Sequence, residues 1–181
     1  MYEKSLELLN MHKIKLEEGL KYDEIIQIEK IYNIKFPNSL QKFLTLSLPT
    51  SKGFYNWRNT KESNISFIKY TMDEPIAYVN NMAEEVYWCD DWGKEPKDKE
   101  NAIMEIRKRL ENAPKLIPIF SHRYIPMIPD ENPPIISIHG LDIVYYGKNL
   151  EDYFEIEFGN KQQDSILLSD ISPVAFWSDI M

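Results

Sequence analysis

The chain has a single cysteine, Cys89, so an internal disulfide is excluded and nothing staples the fold covalently. A reducing compartment is the natural home for such a chain, and a cytoplasmic location is expected. Long apolar runs are missing too: no stretch approaches the roughly 18 uncharged residues that a membrane-spanning helix needs. The opening MYEKSLELLNMHKIKLEEG carries charge in every turn, unlike the apolar heart of a signal peptide. Basic side chains are outnumbered, 21 Lys and Arg against 29 Asp and Glu, for a net charge of −8. A phosphate-backbone binder concentrates Lys and Arg on one face, so nucleic acid is not the expected partner. There is no repeat and no low-complexity tract. No nucleophile, base and oxyanion donors stand in a recognisable arrangement, so no catalytic residue and no cofactor is assigned.

What is present is a globular composition. Hydrophobic residues make up 43% and aromatics 13% of the 181 residues, enough for one α+β domain that folds alone, as a monomer or weak homodimer. The charge is uneven. Tyr70 to Gly93 holds six acids (Asp73, Glu74, Glu84, Glu85, Asp90, Asp91) and no Lys or Arg. Asn149 to Met181 holds seven acids against Lys161 alone, so the two segments carry −6 each and the remainder +4. Such polarity fits a basic protein partner.

The most patterned stretch runs from Ala113 to Gly147. Leu116–Phe120, Ile135–Ile138 and Ile143–Tyr146 have the length and the β-branched and aromatic content of strands. Six of the 11 prolines lie here, and proline, lacking a donor, must mark strand starts, edges or turns. His139-Gly140-Leu141-Asp142 reads as a tight hairpin connection. Upstream, a helical part spans about 3–48: residues 3–18 with Gly19 as a stop, a helix capped by Asp23 over Ile25, Ile28 and Tyr32, and one from Pro37 through Leu40, Phe43 and Leu44. A sheet-rich part, 51–147, opens with a turn and two strands over Ser51–Met72. Helices follow at Ala77–Trp92, with Val79, Met82, Val86 and Cys89 inward, and at Lys97–Asn112, with Ala102, Ile103, Ile106 and Leu110 inward. The last part, 149–181, starts with a helix over Asn149–Phe158 and ends in a tail whose Ile166–Leu168 and Val174–Trp177 are apolar enough to dock.

Two blocks of residues carry a family likeness. The first is Ile28-Glu29 through Ile34-Lys35-Phe36-Pro37 to Leu40 and Phe43-Leu44. The second is Trp88, Trp92-Gly93, Ala113 to Ile119, Ser121 to Pro126, Pro134, Ser137, Asp142-Ile143, Tyr145-Tyr146-Gly147, Leu150, Tyr153 and Glu157-Phe158. Together they resemble the SUKH superfamily, which includes the fungal Smi/Knr cell-wall assembly regulators and many bacterial immunity proteins. One glycine, Gly53, stands where that family often has a pair. The resemblance implies one mostly antiparallel sheet flanked by helices, and a role in binding proteins, commonly the neutralisation of a bacterial toxin. A regulatory scaffold akin to the cell-wall members is the alternative.

Several residues invite sharper readings. His122-Arg123-Tyr124 offers a base and an anion clamp, the ingredients of a hydrolase. The favoured reading is a packing network in which Tyr124 and Trp92 pack and Arg123 pairs with Asp142. His139 and Asp142 are too few ligands for a structural metal site, and none is assigned. Cys89, beside two acids, reads as a small core residue. For partner binding, helical spacing turns Glu151, Asp152 and Glu155 outward from Leu150, Tyr153, Phe154 and Phe158. Asp90 and Asp91 beside Trp88 would add an aromatic anchor in an acidic rim, suited to a basic secreted toxin domain.

Overall fold

Four short strands build the main sheet: β3 (Leu116–Phe120), β4 (Arg123–Pro126), β5 (Ile135–His139) and β6 (Asp142–Gly147), antiparallel and in chain order. The structure, a computed structural model, describes residues 2–181. Three of these strands are the apolar runs expected from the sequence. β4 is not, because it has only four residues, the closing Pro126 included, too few to show alternation. The prolines sit where a missing donor is tolerated: Pro118 lies in the edge strand β3, and Pro126 ends β4. His139 pairs with Asp142 across the two-residue turn, with Gly140 at φ 65° in the left-handed region that glycine adopts freely.

Successive strand residues point to opposite faces, and each face has its own core. Ile117, Ile119, Ile125 and Ile135 join the helices α1 (Glu3–Met11), α2 (Tyr22–Tyr32), α3 (Asn38–Leu46) and α6 (Leu150–Phe158). Leu116, Tyr124, Ile136, Ile138 and Ile143 meet Ile106 and Leu110 of α5 (Lys99–Glu111) and the tail residues Val174, Phe176 and Trp177. Trp177 is fully buried, and its indole Nε1 donates to Pro114 O at 3.1 Å. The rest of the tail expectation fails, since Leu167 and Leu168 are exposed.

The longest helix, α4 (Glu62–Asn81), replaces the strand expected over 65–70 and takes in only the first turn, 77–81, of the helix expected over 77–92. Its inward residues Ile68, Met72, Pro75 and Val79 recur every three or four positions. Alternation over Ile65–Tyr70 mimics a strand, and Pro75 disguises the continuity. Proline has no N–H for the carbonyl four residues back, Thr71 O, and the Tyr124 hydroxyl donates there instead at 3.4 Å. Beyond Asn81 the chain makes two single 3-10 turns, Ala83–Glu85 and Asp90–Trp92, and Cys89 is half-buried rather than in the core.

Near the N-terminus α1 stops at Met11, Lys13 adopts a left-handed φ of 57°, and β1 (Leu16–Glu18) pairs with β2 (Ser47–Pro49). Three-residue strands leave no periodic trace, so the sequence reads as one longer helix. Gly19 is not a helix stop but a close approach, because a Cβ there would lie 2.0 Å from Thr45 O. The start of α2 is set by Glu24, not Asp23: its Oε2 accepts from Lys21 N at 2.8 Å. Arg58 locks this corner, with Nε donating to Glu24 Oε1 at 2.7 Å and Nη2 donating to Glu18 O and Gly19 O at 3.0 Å each.

The hydrogen bond from Arg58, with that from Lys21 N, holds the Glu24 carboxyl below its ordinary pKa of 4.5. A folded-state pKa below the unfolded one gives stability that is present above the unfolded value and lost as pH falls through the folded one. Urea midpoints measured from about pH 6 down to about pH 3 should therefore fall further for the wild type than for Glu24→Gln. Equal falls would remove this contribution.

Candidate docking surface and polar network

The acids of α6 do not form the free face that helical spacing suggests. Asn149 caps the helix, its Oδ1 accepting from Asp152 N at 2.9 Å. Asp152 is only 7% exposed, and its carboxylate accepts from Lys148 N at 3.0 Å and from Lys161 Nζ. It locks the chain on both sides of the helix. Glu151 Oε1 accepts from Tyr2 N at 3.0 Å, and Glu155 pairs with Lys4 at 2.7 Å, because α1 packs against α6. Spacing along one helix cannot show which neighbour will cover its second face.

The other acidic segment is free. Asp90 and Asp91 are exposed on their 3-10 turn, as are Glu84 and Glu85 on the preceding one. Between them Tyr87 is 92% exposed, the most exposed large hydrophobic residue among the described residues, and the sequence reading does not single it out. The signal lay in its offset from the stripe Val79, Met82 and Val86, amid four acids. Glu84 alone of these has a cation, Lys99 Nζ at 3.3 Å on an exposed surface.

Trp88 is half-buried behind this rim rather than presented as an anchor. Its Nε1 donates to Gly93 O at 2.7 Å, and its ring meets Trp92 edge-on at 5.3 Å. Trp92 stacks on Phe176 at 6.0 Å and donates from Nε1 to Asp179 Oδ2 at 2.9 Å. The Arg109 guanidinium lies 5.0 Å from its ring centre. These two rings fasten an irregular segment to the second core.

Arg123 has a carboxylate partner, but it is Glu157 and not Asp142. The register explains the difference: Arg123 lies opposite Ser137 and Asp142 opposite His139, so Asp142 is displaced along the sheet and is exposed. Glu157 continues the inward stripe Leu150, Tyr153, Phe154 and Phe158, a position at which a carboxylate implies a buried cation. The side chains of Arg123 and Glu157 are 11% and 19% exposed, with Nε and Oε2 3.3 Å apart in an orientation that aligns no hydrogen bond between them. Arg123 Nη1 donates to Ser137 Oγ at 3.1 Å, and the guanidinium lies over the Tyr146 ring at 3.9 Å. The Tyr153 hydroxyl, buried without a hydrogen-bond partner, has its pKa pushed well above 10 by burial first and by Glu157 second, with Arg123 opposing.

The two histidines meet at the hairpin end, rings 5.8 Å apart. Burial lowers the His122 pKa most, Arg123 and His139 add to this, and Asp142 opposes it. Such an imidazole favours its neutral form and can accept a proton, yet its contact at 3.2 Å is only with Ser121 Oγ. Among the described residues, no three His, Cys, Asp or Glu side chains converge as metal ligands. Comparison with known proteins returns no match to this chain among family models, curated proteins or solved structures.

Truncating Arg123 leaves Glu157 buried without its counter-charge. Arg123→Met should lower unfolding free energy by on the order of 2–4 kcal/mol, and adding Glu157→Met should restore part of the loss. Additive losses in urea titrations would dissolve the pair. On α6, Asp152→Ala should cost about 1–3 kcal/mol through Lys148 N and Lys161, whereas Glu155→Ala should change stability by about 0.5 kcal/mol or less. Similar costs at the two positions would contradict the lock assigned to Asp152.

Proposed function

We propose that this chain is an immunity protein that neutralises a bacterial toxin by stoichiometric binding, with the acidic, aromatic segment 84–91 as its docking surface. The observation that carries the surface is Tyr87, exposed almost completely between Glu84, Glu85, Asp90 and Asp91. Tyrosine is among the residues enriched in interface hot spots. Four carboxylates around it, in a stretch from Tyr70 to Gly93 that has no Lys or Arg, select a basic partner and speed the encounter. Rings fastened below, Trp88 on Trp92 and Trp92 on Phe176, hold the segment in place without a regular helix. Pre-ordering of this kind lowers the entropy lost on binding.

The resemblance to the SUKH superfamily supports the choice of partner class, since its bacterial members commonly bind toxins. A toxin domain with a basic face, of the kind that meets nucleic acid or another anionic target, is complementary to segment 84–91. Binding there would shield that face. The role goes with a cytoplasmic location. No helix among the described residues is long and apolar enough to cross a membrane.

The test is protection of cells that co-express this chain with basic bacterial toxin domains, any toxin gene directly upstream of its own being tried first. Tyr87→Ala combined with Asp90→Lys and Asp91→Lys should leave folding nearly intact, since exposed substitutions move stability by about 0.5 kcal/mol or less each. The same variant should lose protection and associate at least about tenfold more slowly at low salt. Undiminished protection by the triple variant would move the docking surface elsewhere.

A further inference from the structure

A cleft of about 180 Å³ opens between the end of α2, the middle of α4 and the start of β3. That is far above the roughly 10–15 Å³ that holds one water, and is room for a molecule of roughly nine non-hydrogen atoms. The walls have two characters. Met72, Ile76 and Leu116 supply apolar surface, while Lys69, Lys115 and Asp73 supply charge. Among the described residues neither lysine pairs with a carboxylate within 4.0 Å. Lys115 is nonetheless placed, because its Nζ donates to Asn33 O at 3.0 Å, just past the end of α2. Two further ammonium protons remain for another acceptor.

The remaining wall residue is Tyr32, a buried side chain whose hydroxyl has no hydrogen-bond partner. That hydroxyl is closed to water, and hence to a ligand in the cleft, so Tyr32 supplies wall and no donor. The charge of the cleft rests on Lys69, Lys115 and Asp73. Two ammoniums and one carboxylate leave a single net positive charge, which matches one negative charge and disfavours two.

We infer that this cleft is a binding site for a small monocarboxylate with an apolar body, its carboxylate held by Lys69 and Lys115 and its body laid on Met72, Ile76 and Leu116. Nothing in this assignment depends on segment 84–91 or on a toxin. The cleft lies on α2, α4 and β3, so occupancy would also stabilise the seam between the N-terminal helices and the edge of the sheet.

Sodium benzoate, with nine non-hydrogen atoms, is the probe, and benzamide is its neutral twin. Titration of the full chain, followed by backbone amide shifts, should give saturable benzoate binding near about 1 mM with the largest shifts at Tyr32, Ile76 and Leu116. Benzamide should bind at least about tenfold more weakly, and the exposed double variant Lys69→Met, Lys115→Met should lose benzoate by a similar factor while remaining folded. The inference is overturned if benzoate produces no saturable shift at these residues, if benzamide binds as well, or if the double variant binds unchanged.

Discussion

A strand sends its side chains alternately to opposite sides, and in this chain both sides of the four-stranded sheet must be covered. Leu116 and Ile117 are neighbours in sequence yet belong to different cores, as do Tyr124 and Ile125, and Ile135 and Ile136. Everything else is arranged to supply those covers. The N-terminal helices and α6 close one side; α5, the end of α4 and the tail close the other. A one-residue slip of β5 would place Ser137 among isoleucines and strip Arg123 of its hydrogen-bonded partner.

That constraint also decides which polar groups can be buried. Arg123 and Ser137 occupy the end of a face otherwise built of isoleucines, and they are tolerated because Tyr146 and Glu157 close over the guanidinium. The chain's acids divide accordingly. Those of α6 reach a cation or a backbone N–H and fix the connection of helix to neighbours, whereas those around Tyr87 have water on most sides. Formal charge was therefore a poor guide to which of two segments, each at −6, is available to a partner.

The sequence was legible where periodicity was local and long enough. Three of the four sheet strands, α2, α3, α5 and α6 stand close to where their apolar spacing put them. It was illegible where tertiary pairing overrode a local pattern. Leu16 looks like the last apolar turn of a helix and is a strand residue, since β2 offers Pro49 across from it and Leu48 across from Glu17. Ile65–Tyr70 alternated like a strand, but Ile68, Met72 and Val79 needed a common face. The partner of Arg123 was misread for a similar reason: Asp142 was near in the sheet, but Glu157 arrives from a helix that sequence spacing alone does not dock. Tyr87 does not stand out in the sequence, because the spacing of Val79, Met82 and Val86 runs a helix through a segment that Trp88 and Trp92 shape by ring contacts instead.

The docking of Trp177 against Pro114 has a bearing on how the molecule is made. Residues 174–177 are synthesised after every strand of the sheet and every α-helix, yet Val174, Phe176 and Trp177 are three of the buried side chains on the second face of the sheet. Until they arrive, Ile136, Ile138 and Ile143 are left with an incomplete cover, while the first face already has α1, α2 and α3 waiting. A chain lacking the residues from Val174 on would therefore expose part of the second sheet face, an apolar surface of the kind that chaperones bind.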